Sequence, residues 1–336
     1  MSGPESRGKV RGVSGIHVYP GAFALHDLPV AQPLHLALGM FDGVHRGHAA
    51  VIRQAVDETR TEPGDLSGVL TFDPHPSRIL YPERATSLIM PLEERIERMR
   101  ALGIDHVFVQ PFTLAYAQRE AEAFVPLLKK EFPGLKSLHV GCNFRFGCKR
   151  GGDVTLLCDA GSALGISVHV REREVHAGEP VSSSRIRTAL VEGRIEEANR
   201  LLGHSYRVSG TVVPGRKIGR GIGFPTINIP WSPETLPCFG VYQVAARVAG
   251  SSRVQTGIAN YGIRPTFETG GRPLLEVHLL DGGGGPTPTS GESVEVLLLH
   301  FIRKERTFPS KEALQAQIGK DVGAVRKIPL PEPGNF

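Results

Sequence analysis

His45 and His48, in the run His45-Arg46-Gly47-His48, are the side chains of this sequence best suited to phosphate chemistry. They follow Leu38-Gly39-Met40-Phe41-Asp42-Gly43-Val44, which joins an apolar strand to an amphipathic helix. At a helix start, free N–H groups and the positive end of the dipole attract anions. Two imidazoles one turn apart add directional donors, and Gly47 lets a ligand approach the backbone. The pattern suits a polyphosphate. A short motif of this kind also occurs as a plain strand-to-helix turn with solvated histidines, so the rest of the chain must decide.

Three further segments can converge on that loop. Thr71-Phe72-Asp73-Pro74-His75-Pro76 leaves a strand end through a stiff polar turn; alone it is a Pro-rich turn. In Val140-Gly141-Cys142-Asn143-Phe144-Arg145-Phe146-Gly147 a strand gives way to polar groups between aromatic ones. Asn143 can donate and accept, while Phe144 and Phe146 form either a ligand platform or a core pair. Ser182-Ser183-Ser184-Arg185-Ile186-Arg187 opens a helix with hydroxyls, and Arg187 can fork onto a phosphate. In isolation that segment is a serine N-cap with solvated arginines.

A second set lies further on. Gly215-Arg216-Lys217-Ile218-Gly219-Arg220-Gly221-Ile222-Gly223-Phe224-Pro225 alternates glycine with cationic side chains. Its N–H groups can form a nest for phosphate oxygens. It lacks the Gly-Lys-Ser/Thr ending of a Walker loop, and no helix follows as a dinucleotide fingerprint requires. Thr226 and Asn228, two apart, share one face of a strand and offer oxygen ligands suited to Mg²⁺ held with nucleotide phosphates. A Gly-rich barrel corner with a basic surface has the same composition. Glu276 interrupts the apolar run Leu274-Leu275-Glu276-Val277-His278-Leu279-Leu280. A buried carboxylate there would be costly without a task, and can take a proton from a hydroxyl. Taken alone, Glu276 reads as an outward residue sharing its face with His278.

The elements that position these groups fall into two textures. Leu34–Leu38, Gly68–Phe72, His106–Val109, Ser137–Val140 and Ile166–Val170 are strand-like. Between several of them lie helical faces such as Val51, Ile52, Ala55, Val56 and Phe124, Val125, Leu128. Repeated β-α units mean a parallel sheet covered by helices, with ligands at the carboxyl ends of the strands. Beyond about Leu202, short β-rich runs with Gly and Pro turns predict a closed antiparallel barrel or sandwich. One helix capped by Ser310 ends the chain. Residues 1–16 read as a flexible leader, 17–203 as the first domain and 204–336 as the second. Gly282 to Gly291 reads as a flexible connection.

The chain has 336 residues, 40% hydrophobic and 22% charged, which fits a soluble two-domain protein. No apolar run approaches the roughly 20 residues of a membrane span. Four cysteines without a C-x-x-C pair argue against a zinc or disulfide framework and for a reducing cytoplasm. A net charge of +5 suits anionic substrates without requiring nucleic acid.

In their order, these segments resemble bifunctional riboflavin kinase/FMN adenylyltransferases, the bacterial FAD synthetases, from about Leu34 to Val322. Four more runs extend the resemblance in the same order: Leu201-Leu202-Gly203-His204-Ser205-Tyr206, Gly240-Val241-Tyr242-Gln243-Val244, Gly257–Phe267 and His300–Phe308.

The resemblance implies a Rossmann-like nucleotidyltransferase followed by a riboflavin kinase barrel with a terminal helix. In the first, the FMN phosphate would attack the α-phosphorus of ATP, giving FAD and pyrophosphate. His45 and His48 match the family's phosphate-holding histidines, and Gly39, Phe41, Asp42, Gly43, Asn143, Ser183, Ser184 and Arg187 match nucleotide-binding positions. In the second, the γ-phosphate of ATP would pass to the ribityl 5′-hydroxyl of riboflavin. Thr226 and Asn228 match the Mg²⁺ ligands and Glu276 the general base. Gly215, Lys217, Gly219, Arg220, Gly221, Gly223, Phe224 and Pro225 would bind ATP and flavin. Ser184 stands where the family often has Thr, Asn143 where many members have Asp, and Ile227 where Ala is common.

The implied partners are riboflavin, FMN and ATP, with no nucleic acid or membrane, in a cytoplasmic monomer or weak homo-oligomer. Two rivals stand beside this reading. One is a single-activity nucleotidyltransferase with a passive barrel, which would not need Thr226, Asn228 and Glu276 together. The other is an RNA-binding barrel, which would need aromatic residues interleaved with Lys and Arg, whereas only Phe224 lies near the basic loop.

Overall fold

The computed structural model describes residues 16–18, 32–215, 221, 223–263, 271–280 and 288–329. Residues 1–15 of the expected leader lie outside them, as do Lys217, Gly219, Arg220 and residues 282–287. The chain forms two compact units, Met1–Val181 and Ser182–Phe336.

The first unit is built on parallel strands β1 (Ile16–Val18), β2 (Leu34–Leu38), β3 (Leu66–Asp73), β4 (His106–Pro111), β5 (Leu135–Gly141) and β6 (Ser167–Arg171), in the order β1-β4-β3-β2-β5-β6. Every residue of β2 is buried, as a central parallel strand covered on both faces requires. Helix α1 (Arg46–Thr61) buries Ala49, Val51, Ile52, Ala55 and Val56 and stops ahead of Pro63. Pro76 opens the short helix α2 (Pro76–Leu80), where its missing N–H costs nothing. Helices α3 (Leu92–Ala101), α4 (Leu114–Ala117), α5 (Phe124–Glu131) and α6 (Val154–Ala163) complete the unit with a small hairpin, β7 (Val175–His176) and β8 (Glu179–Pro180). Leu36, Leu70, Phe108, Val125, Leu128 and Leu138 form the heart of one core cluster. Burying each such side chain contributes about 1.5–3 kcal/mol.

From β2 the chain steps outward through β3 to β4, then returns to set β5 on the other side of β2. Loops leaving β2 and β5 therefore diverge, and a crevice opens between them at the carboxyl ends of the strands. This switch point lies where His45 and Asn143 leave the sheet.

A polar chain runs through this sheet. Asp65 Oδ2 accepts from His35 Nε2 at 3.0 Å, His35 Nδ1 meets Ser137 Oγ at 2.7 Å, and Ser137 Oγ meets His139 Nε2 at 2.8 Å. His139 is wholly buried, and burial, reinforced by His169 and His35, pushes its pKa down from 6.5 to about 3. The unfolded chain binds a proton there near pH 6.5 and the folded chain does not. The contribution of His139 to stability is therefore fully present above that pH and is lost progressively as pH drops towards 3. Urea titrations of chelator-treated protein should show a flatter pH slope in His139→Gln than in the parent. Equal slopes would remove His139 from the acid response.

The second unit opens with α7 (Ser183–Val191) and α8 (Ile195–Leu202). Asn199 ties α8 to the strands that follow: its Nδ2 donates to Leu298 O and its Oδ1 accepts from Tyr206 N, both at 2.9 Å. The strands are β9 (Tyr206–Thr211), β10 (Ile227–Pro230), β11 (Gly240–Val248), β12 (Gln255–Ile263), β13 (Pro273–Leu279) and β14 (Ser293–Lys304), in the order β10-β13-β12-β11-β14-β9. The named pairs of this sheet are antiparallel, and a bridge between Val213 and Asn228 brings its two edges together. The expected antiparallel barrel is thus a curled half-barrel sheet, whose edges meet at this bridge beyond the end of β9. Ile229, Tyr242, Ala259, Tyr261, Leu275 and Val277 are buried in it. The terminal helix α9 (Lys311–Val325) is capped by Ser310, whose side chain accepts from Ala313 N, and packs Val322 and Val325 on Val241 and Ile258.

Candidate active sites

The loop after β2 is held in a shape that most residues resist. Phe41 and Val44 have φ of +50° and +40°, and Gly43 has +84°. Positive φ at a β-branched residue such as Val44 is strained, and strain of this kind collects at working loops. Its anchors are visible. Met40 O accepts from Arg95 Nη1 at 2.8 Å and Thr71 Oγ1 at 3.1 Å. The Asp42 carboxylate accepts from Ile89 N at 3.0 and 3.2 Å. Phe41 and Val44 are buried. A Cβ on Gly39 would lie 2.9 Å from the Phe41 ring, so only glycine fits there.

The loop delivers His45 to the N-cap of α1, where Nδ1 accepts from His48 N at 3.2 Å. An accepting Nδ1 makes Nε2 the protonated, donating nitrogen in the neutral ring. The His45 and His48 rings stack with centroids 3.5 Å apart, and Phe41 meets His48 edge-on at 5.3 Å. Two imidazoles are thus fixed at the positive end of a helix.

Across the crevice, Asn143 is exposed just beyond β5, its Oδ1 close over Gly141. Phe146 is buried in the core and Phe144 packs beside it, so these rings serve packing rather than a ligand platform. His75 caps α2, accepting from Ser77 N. Ser183, Ser184 and Arg187 lie in α7 of the second unit. Ser182 caps that helix and Arg185 is paired with Glu197 at 2.9 Å, which leaves Ser183 and Arg187 half-buried and Ser184 exposed on its first turns.

The second unit gathers the other set. Antiparallel register places Asn228 opposite Glu276, and Glu276 opposite Asn260. Three polar side chains therefore stand in one row on the same face of β10, β13 and β12. Asn228 is buried and Glu276 half-buried. Thr226 is exposed immediately before β10. Gly215 lies against Asn228, where an added Cβ would come within 2.1 Å of its amide nitrogen. His278 Nδ1 donates to Pro225 O at 2.8 Å, and its ring meets Phe224 edge-on at 5.3 Å. Gly221 and Gly223 have open space where a Cβ would stand, and Gly223 has φ of +84°.

Sequence reasoning missed Asn260 and Glu305, whose side chains join at 3.0 Å beside this row. The one signal is a polar residue in the apolar run Gly257-Ile258-Ala259-Asn260-Tyr261.

The chain matches two family models, FAD synthetase over residues 28–185 and riboflavin kinase over residues 202–329. It is 36% identical over 306 residues to the bifunctional riboflavin kinase/FMN adenylyltransferase of Escherichia coli K12, covering 90% of this chain and 96% of the relative. It is 39% identical over 293 residues to the protein of that name from Listeria monocytogenes, covering 85% and 89%. A crystal structure described as a macrolide-efflux protein from Streptococcus pneumoniae superposes with a TM-score of 0.79 at 27% identity, over 89% of this chain and 95% of that one. Among the described residues, no helix is long and apolar enough to cross a membrane.

Proposed function

We propose that the two residue sets described above carry the two reactions of the bifunctional riboflavin kinase/FMN adenylyltransferase family, to which this chain belongs. The enzyme phosphorylates riboflavin to FMN and adenylylates FMN to FAD. For adenylylation, the FMN phosphate oxygen attacks the α-phosphorus of ATP and pyrophosphate leaves. No covalent nucleophile is needed; holding the phosphates in line and neutralising their charge suffices. His45 and His48 donate hydrogen bonds to the phosphate oxygens as charge develops on them, with Asn143, Ser183, Ser184 and Arg187 binding nucleotide. Gly39, Phe41, Asp42 and Gly43 act by shaping the loop. The Asp42 bonds to Ile89 favour a positioning part for that carboxylate.

For phosphorylation, Glu276 takes the proton of the ribityl 5′-hydroxyl as its oxygen attacks the γ-phosphorus and ADP leaves. The observation that carries this reading is the row Asn228–Glu276–Asn260. Hydroxyl, amide and carboxylate oxygens at one place form a donor set for a hard cation. Thr226 and Asn228 would hold Mg²⁺, which would supply positive charge against the nucleotide phosphates. Gly215, Lys217, Gly219, Arg220, Gly221, Gly223, Phe224 and Pro225 would line the nucleotide and flavin approach. We assign residues 17–203 to adenylyl transfer and 204–336 to phosphoryl transfer, in a cytoplasmic monomer or weak homo-oligomer without nucleic acid.

Asn228→Ala tests the metal assignment. It should raise the Mg²⁺ concentration for half-maximal FMN formation by at least about tenfold, the scale of a lost ligand. The Mg²⁺ dependence of FAD formation from supplied FMN should not move. An unchanged requirement for FMN formation would remove Asn228 from the metal.

A further inference from the structure

Among the described residues, Glu58, His139 and His169 each offer a ligand atom within 4.8 Å of the others. Glu58 lies near the end of α1, His139 on β5 and His169 opposite it on β6. His169 Nε2 is 3.4 Å from Glu58 Oε1, and the two imidazoles stack 4.8 Å apart at 8°. His139 is wholly buried, and its Nδ1 has no hydrogen-bond partner.

The polar chain behind His139 explains which nitrogen is left. With the imidazoles neutral, the Asp65 carboxylate accepts from His35 Nε2–H, so His35 Nδ1 accepts from the Ser137 hydroxyl. Ser137 Oγ then accepts from His139 Nε2–H, which leaves Nδ1 with a bare lone pair. A carboxylate that fixes a histidine tautomer through hydrogen bonds is how metal-ligating imidazoles are oriented. An orphaned buried acceptor is destabilising unless something binds it.

We propose that Glu58, His139 and His169 form a site for a divalent transition cation of the Zn²⁺ type. Two donors each about 2.1 Å from a tetrahedral ion stand about 3.4 Å apart, and the His169–Glu58 pair is already at 3.4 Å. Nitrogen and carboxylate donors suit Zn²⁺ rather than Mg²⁺. The cluster is reachable from solvent, since the His169 and Glu58 side chains are 39% and 34% exposed. The site is separate from the phosphate-binding loop: the ten-residue step along α1 from His48 to Glu58 spans about 15 Å. An ion there would brace α1, which carries His48 at its other end, against β6 and against β5, which leads to Asn143.

The full chain, stripped with a chelator, is titrated with Zn²⁺ by calorimetry and with Co²⁺ by visible absorption. One equivalent should bind with the intense bands of tetrahedral Co²⁺, and Zn²⁺ should raise the unfolding temperature. His169→Ala and Glu58→Gln should each lose at least about tenfold in affinity, and Ser137→Ala about 10–100-fold as an orienting residue. Both ligand substitutions are at partly exposed positions, so the unliganded variants should unfold near the parent's temperature. No binding by the parent, or affinity equal to the parent's in both His169→Ala and Glu58→Gln, would overturn the site and leave the histidines a packing contact.

Discussion

Glu276→Gln is expected to lower kcat for riboflavin phosphorylation by about 10²–10⁴-fold, the usual contribution of a positioned general base. The substitution keeps the shape and an acceptor oxygen, and removes only the ability to take a proton. KM for riboflavin should change little, because the carboxylate acts on the hydroxyl as it reacts. FAD formation from supplied FMN should stay within about twofold of the parent, since sites that share no residues behave independently. The row Asn228–Glu276–Asn260 makes this prediction specific, because the neighbours are fixed by strand register rather than by loops. Chromatography of flavins after incubation with riboflavin, ATP and Mg²⁺ reads both steps at once. Full FMN formation by the variant, or equal loss of both steps, would sink the assignment.

The sequence carries the fold because each unit repeats one period. Leu34–Leu38 is legible as a buried strand since four of its five residues are apolar, and it is found at those bounds. The Ser310 cap and the terminal helix are equally plain. What the sequence hides depends on register. His35, Ser137, His139 and His169 are scattered along the chain, and only pairing of β2, β5 and β6 lines them up. Asn260 reads as one polar residue until antiparallel pairing sets it beside Glu276. Asp42 shows the opposite case. Its place beside the histidines suggests ligand contact, but its acceptors are turned to Ile89, 47 residues away. A backbone partner that distant leaves no mark in a motif.

His48→Ala is expected to cut FAD formation by about 10²–10³-fold, the scale of losing one preorganised donor to a developing phosphate charge. FMN formation from riboflavin should be unchanged, the mirror image of the Glu276 variant. His45 needs a different substitution, because it also caps α1 through Nδ1. His45→Ala removes both the cap, worth about 1 kcal/mol, and the Nε2 donor. His45→Asn restores a favoured capping residue while leaving no group to reach where Nε2 stood. If His45 works on phosphate, both variants lose FAD formation to a similar extent, and only the alanine variant also loses thermal stability. Normal FAD formation in His45→Asn would reduce His45 to a helix cap. Normal FAD formation in His48→Ala would leave the strained Phe41–Val44 turn without the task that its geometry implies.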